Sequence, residues 1–298
     1  MNVHVPDFDD LVKQEWDYPV IDKDSRFTQL DIKAADADVS GGKISMEEID
    51  RIADYPDAKS VSIFGLRQDT FEYFVKTYGR QFRYIRFFKN KAVEDWSLLG
   101  SLPELEYVHW FANQRINKFW DMSNNFSLRG LCISDFSRLH SIEGIGRAPA
   151  LKYFSFQDAI WDSSEVESFS PLTNTGITHL CFGGKRITDN SLDFLEGMPN
   201  LEVFDFALNK FSTEQVAWIV ANFPSLRGFA LRAKRDDTVC RITPNGEYVN
   251  VPGAFITGKR KPALAYEENA DRIQKYVDNF EALKHKYKGM SYKDAFGE

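Results

Sequence analysis

Three side chains of this sequence, Asp158, His179 and Cys181, have the types a cysteine hydrolase requires: a thiol to attack an acyl carbon, an imidazole to take its proton, and a carboxylate to orient the ring. One residue separates the histidine from the cysteine, and no motif orients the base, so spacing alone does not assemble a triad. The sequence contains no GxSxG, no P-loop, no HExxH and no CxxC. The expectation is a non-enzymatic chain with no cofactor, no catalytic residue and no metal.

A second string has metal-binding residue types. Asp36, Asp38, Ser40, Gly41 and Glu47 resemble an EF-hand calcium loop, which places oxygen ligands at positions 1, 3, 5 and 12 and glycine at 6. The apolar residue due at position 8 is replaced by Lys43, with Ile44 one place late, and no second hand is present. Ser45-x-x-Glu48 ahead of Ile49 and Ile52 is equally the capping box of a helix. A calcium-responsive module over 36–48 therefore stands as the alternative function, with the cysteine hydrolase third.

Composition excludes other classes. With 43% apolar residues, 25 phenylalanines and a net charge of -7 over 298 residues, the chain has enough apolar side chains for a sizeable core. Three cysteines are too few for a disulfide framework. The first residues show neither a basic nor an apolar leader, and no stretch approaches the ~18 apolar residues of a membrane span. A cytoplasmic location without membrane contact is expected.

The elements that position these residues come from a repeat. LEYVHWFAN at 105–113 and LEVFDFALN at 201–209 share apolar residues at relative positions 1, 4 and 6 and Asn at 9, and FRYIRFFKN at 82–90 matches them. The frame also fits from Phe27, Ala58, Leu128, Leu151, Ile177 and Leu226, with starts 31, 24, 23, 23, 23, 26, 24 and 25 residues apart. Pro56, Pro103, Pro149, Pro199 and Pro224 stand two residues before position 1, where proline ends a preceding helix. Ile52, Leu99, Ile145, Leu195 and Val220 stand six residues before it, with apolar residues three further on, as on one helix face. Each unit predicts a short strand, a turn, and a helix or helical turn.

This pattern resembles the leucine-rich repeat family, L-x-x-L-x-L-x-x-N/C-x-L, over about 27–234. The resemblance implies an α/β leucine-rich repeat solenoid of bacterial cytosolic type, a curved horseshoe. About nine strands would form a parallel sheet on the concave face, with short helices on the convex face. Position 9 holds Asn only at Asn90, Asn113 and Asn209, so the family's asparagine ladder is expected to be broken. Terminal repeats need covers. Residues 1–26 are assigned as an N-terminal cap and 235–298 as a C-terminal cap. The latter comprises a hairpin about Asn245-Gly246 and a helix near Pro262–Lys288 with an apolar stripe from Tyr266 to Tyr287.

Strand alternation turns positions 3, 5 and 7 away from the core onto the concave face. Phe64, Tyr84, Arg86, Phe88, Tyr107, His109, Phe111 and Tyr153 gather there on adjacent strands, expected to be exposed. Tyrosine, phenylalanine and arginine together are typical of an interface hot spot. These eight are the candidate partner-binding residues, for a protein or peptide, in an inhibitor or a scaffold. Gly130, Gly183 and Gly184 would flatten the middle strands and leave room for a ligand to approach the backbone. Nine cations against six anions at positions 2, 3, 5, 7 and 8 make this face slightly positive, too weakly for a nucleic-acid groove. At strand spacing His109 and His179 fall about 14 Å apart, and Cys132 and Cys181 about 10 Å, too far to share a metal or a disulfide. Oligomeric state is not legible.

Overall fold

The computed structural model describes residues 29–33, 42–242 and 245–297. The N-terminal cap assigned to 1–26 and the ligands at 36–41 of the calcium-like string lie outside these residues. The described residues fall into two compact units, one ending at Leu201 and one beginning at Glu202.

The fold is mixed α/β, with one large parallel sheet of eight strands and short helices. Its strands are β1 (Gln29–Ile32), β2 (Ser60–Phe64), β3 (Tyr84–Phe88), β4 (Tyr107–Asn113), β5 (Gly130–Phe136), β6 (Tyr153–Gln157), β8 (His179–Phe182) and β10 (Val203–Phe206), in sequence order. β7 (Glu165–Val166) and β9 (Arg186–Ile187) form a separate parallel pair. Every sheet strand starts at position 3 of its repeat, so equivalent residues meet in register: Ser60, Tyr84, Tyr107, Gly130, Tyr153 and His179 form one row.

Positions 4 and 6 build the core. Val61, Ile63, Ile85, Phe87, Val108, Trp110, Leu131 and Ile133 are all buried. Phe87 stacks on Trp110 at 4.1 Å, and both meet Phe71 of the helix Gln68–Thr77, at 5.8 and 5.9 Å. Each such side chain removed from water stabilises the fold by about 1.5–3 kcal/mol.

The returns between strands are mostly 3-10 turns, at Arg51–Asp54, Ser97–Ser101, Ile145–Arg147, Ser170–Leu172 and Asp193–Gly197. A 3-10 turn rises about 2.0 Å per residue against 1.5 Å in an α-helix, so few residues cover the sheet. Ile52, Leu99, Ile145, Leu172, Phe194 and Leu195 are the buried residues of these turns. The helix Met46–Asp50 opens on Ser45 and Glu48, each side chain capping the other's amide at 3.2 and 2.8 Å, the capping box read from the sequence.

Position 8 carries a backbone signature absent from the apolar pattern. Gly65, Lys89, Ala112 and Asp135 occupy it in four successive copies, and all have φ between 55° and 74°. This left-handed residue turns the chain off the strand so that position 9 points inward. Asn90 there accepts the Leu66 amide at 2.8 Å and donates to the Ile63 carbonyl at 3.0 Å. Asn113, one strand on, also donates back to the preceding copy, to the Asn90 and Val93 carbonyls, but accepts the Arg115 and Ile116 amides of its own; Phe136 interrupts the series, and Asn209 is exposed.

The ninth copy is a correction. The sequence places a strand at 226–234, yet Arg227 forms only an isolated bridge to Val203, and the chain then turns over Gly228–Arg232. Asp205 stops the strand by accepting the Phe229 amide at 2.8 Å, and a β-carbon at Gly228 would lie 2.1 Å from the Phe204 carbonyl oxygen.

In the second unit the helix Thr213–Asn222 precedes the antiparallel hairpin of β11 (Lys234–Ile242) and β12 (Tyr248–Ile256), joined by β13 (Ala263–Ala265). Gly246 takes φ 82° in the hairpin turn. The helix Tyr266–Tyr287 follows, with Asn269 non-helical at φ -132°, and it buries Ile273, Phe280 and Tyr287, seven residues apart. Ala270, within the apolar stripe from Tyr266 to Tyr287 and next to that break, is exposed. No helix among the described residues is long and apolar enough to cross a membrane.

Candidate functional site

The side of the sheet opposite Phe71 and Trp110 carries the eight candidate residues. Register places Tyr84 beside Tyr107, Arg86 beside His109, and Phe88 between Phe64 and Phe111. Tyr84 and Tyr107 meet edge to face at 6.4 Å. Phe88 stacks on Phe111 at 4.9 Å and tilts against Phe64 at 4.8 Å. The Arg86 guanidinium lies 4.6 Å from the Phe88 ring centre, and Arg129 approaches Tyr107 at 6.0 Å. Tyr153 stands across Gly130 from these rings and packs instead on His179, at 4.8 Å.

Their exposure departs from expectation. Tyr107 and His109 retain 1% of their accessible surface and Arg86 retains 9%; Phe64, Tyr84, Phe111 and Tyr153 are buried, and only Phe88 is half-buried. Ring-on-ring stacking contributes to this burial. The sheet from β2 to β6 is thus covered on both sides, the usual condition of parallel sheets.

The expected space over the middle strands is filled. A β-carbon on Gly183 would fall 1.8 Å from Gln157 Oε1, because the Gln157 side chain lies across it. The Gln157 amide donates to Ser155 Oγ and Cys181 Sγ, both at 3.0 Å.

Asp158, His179 and Cys181 have separate roles. Asp158 accepts four backbone amides, from Trp161, Asp162, Ser163 and Ser164, at 2.5–3.2 Å. Burial pushes this carboxyl up, but the Ser164 amide, a hydrogen bond with Asp135 and the amides of Ser163 and Asp162 outweigh it and hold the group below the usual carboxylate range. Asp135 receives the amides of Ala159, Ile160 and Trp161 and the Ser134 hydroxyl. The two carboxylates therefore shape the loop 159–164. His179 Nδ1 pairs with the Thr178 hydroxyl at 2.8 Å. Cys132 and Cys181 lie in one row with Ser155 between them, and both are free thiols. Among the described residues no group of three His, Cys, Asp or Glu side chains is placed to hold a metal ion.

Asn125 was not among the sequence candidates. It is buried three residues before Leu128 and joins the Leu99 and Leu102 carbonyls to the Trp120 indole. The position three residues before the repeat start is apolar in the five proline-marked copies, and a buried asparagine there carries no apolar signal.

No known protein-family model matches this chain, and no curated protein matches it in sequence.

Proposed function

We propose that the chain is a leucine-rich-repeat-like solenoid acting as a non-enzymatic recognition module, whose inner face binds a protein or peptide. The observation that carries this is the in-register row of rings, Phe64, Phe88 and Phe111, with Arg86 and His109 beside them and Tyr84 and Tyr107 alongside. Tyrosine, phenylalanine and arginine side by side are the residue types of an interface hot spot. The 23–26-residue spacing of seven of the eight gaps, the recurrent left-handed position 8 and the Asn90 and Asn113 contacts support the solenoid. Saturation of Asp158 by loop amides favours recognition over cysteine chemistry. Selection of peptides from a displayed library against the full chain, followed by calorimetry, tests the reading. Selected peptides should lose at least tenfold in affinity for Arg86→Gln with the melting temperature held. Equal affinity for the variant would overturn it.

A further inference from the structure

The sheet of the second unit has an open edge. β11 is an outer strand, in the order β11-β12-β13, and among the described residues no strand pairs with its far side. The Thr257 amide donates to the Ala233 carbonyl at 3.1 Å in the register that joins β11 to β12, so odd residues of β11 bond inward and even ones turn their main-chain groups outward. Asp236, Thr238, Cys240 and Ile242 are exposed along that edge. Beyond the reach of β13, which pairs only with Gly253–Phe255, the ribbon has two strands, an arrangement of marginal stability in water. We propose that a second copy of this chain pairs with this edge, antiparallel and about a twofold axis at Val239. The inference is independent of the recognition reading.

The charges along β11 select that partner and that register. Asp237 and Arg241 stand two residues to either side of Val239. A twofold axis there sets Asp237 of each copy opposite Arg241 of the other, at a position without main-chain bonds, where facing side chains lie closest. Thr238 then faces Cys240 of the other copy, and their outward amides and carbonyls bond. Sliding the register by two residues one way brings Arg235 against Arg241, and sliding it the other way leaves Arg241 opposite Val239 without a counter-charge. A parallel, in-register pairing sets each charge beside its like. Charged edge strands usually deter pairing, but this pattern favours the self-complementary contact of a twofold dimer. In the single chain the Asp237 carboxylate accepts the Thr238 amide at 2.8 Å, which blunts the edge. Pairing passes that amide to the Cys240 carbonyl of the other copy and frees Asp237 for Arg241. The contacts given up, Asp237 with Arg235 at 3.2 Å and Arg241 with Glu267 and Glu268 at 3.3 and 2.5 Å, are surface ion pairs that contribute little.

Sedimentation equilibrium of the full chain tests the proposal. The joint is short, so a reversible dimer that grows with concentration is expected. A monomer at every concentration up to about 1 mM overturns the proposal. Asp237→Arg and Arg241→Asp, each alone, place like charges opposite one another twice per dimer and should raise the dissociation constant about tenfold or more. An equal mixture of the two variants restores both opposite-charge pairs and should dimerise as the parent does. Unchanged dimerisation of either variant, or a mixture as weak as its folded components, overturns the pairing. Should a variant fail to fold, Thr238→Cys in oxidised glutathione decides. Facing residues of a hydrogen-bonded pair lie about 5.5 Å apart at Cα, within disulfide reach. The new thiol at 238 should therefore link to Cys240 of the other copy and yield a dimer on a non-reducing gel. A monomer on that gel, or a link from 238 mapped to any other cysteine, overturns the proposal.

Discussion

Asn113 donates both amide hydrogens into the preceding repeat, to the carbonyls of Asn90 at 2.9 Å and Val93 at 3.0 Å, while its own Oδ1 receives the amides of Arg115 and Ile116 at 2.8 Å. One buried side chain thus satisfies four main-chain groups across two repeats. Losing it leaves buried backbone groups unpaired, at roughly 1–3 kcal/mol each. Asn113→Leu should lower unfolding free energy by about 3 kcal/mol or more in urea titration. Asn209→Leu, on an exposed side chain, should change it by less than about 0.5 kcal/mol. Equal effects would show that the ladder contributes little.

Burial of Tyr107 and Phe111 determines what their mutation does. Tyr107→Ala and Phe111→Ala should each cost roughly 3–5 kcal/mol of stability, as for large-to-small changes in a core. Denaturant midpoints should fall in step with those of Trp110→Ala, whose ring lies on the opposite side. An unaltered midpoint for Tyr107→Ala would mean that this ring contributes nothing to the fold.

Ala112 sits at the left-handed position 8 with φ 63°, where a β-carbon costs about 1 kcal/mol and a branched one more. Ala112→Gly should be neutral or mildly stabilising and Ala112→Val destabilising, measured by thermal unfolding. The reverse order would be incompatible with the left-handed turn.

Asp50 accepts the hydroxyls of Tyr73 at 2.5 Å and Tyr78 at 2.7 Å on one oxygen. The Tyr73 bond first, then that of Tyr78, holds the Asp50 carboxyl below its usual value, while the bond to Asp50 pushes Tyr78 up to about 12. A depressed carboxylate adds stability above its ordinary value of 3.8 that is lost as pH falls through its lower folded value. A raised phenol adds stability below its ordinary value of 10 that is lost as pH rises from there towards 12. Absorbance titration of Asp50→Asn should return two late-titrating tyrosines, Tyr73 and Tyr78, towards 10. A tyrosine profile identical to that of the parent would exclude the pair.

In the second unit, Trp218 is clamped by the chain's last turns. Its indole donates to the Met290 carbonyl at 2.9 Å and its ring meets Tyr292 edge to face at 4.9 Å, while the Tyr292 hydroxyl accepts from Gln215 at 2.9 Å. Tyr292→Ala should cost roughly 3–5 kcal/mol and shift Trp218 emission to the red. A stable variant with unshifted emission would show that the clamp is dispensable.

The strand frame was legible because positions 4 and 6 must be apolar in every copy, and eight of nine frames became strands starting at the same relative residue. The ninth failed on Asp205 and Gly228, polar and backbone contacts that apolar spacing does not encode. The grouping of Tyr84, Arg86, Tyr107 and His109 followed from alternation alone. Their burial did not, since alternation gives the side of a sheet and never what lies against it. Gln157 over Gly183 shows the same gap at the scale of one side chain: a glycine in a strand signals close approach, and only coordinates name the atom that approaches.

The asparagines at position 9 also give the array a sense of direction. Asn90 and Asn113 reach back to the repeat before them, whereas Asp135, on the third consecutive strand, reaches forward to the amides of 159–161. Modules on either side of Asp135 are therefore not exchangeable. A transposition placing 128–150 ahead of 82–104 would put 90–92 where the Asp135 carboxylate now receives the amides of 159–161.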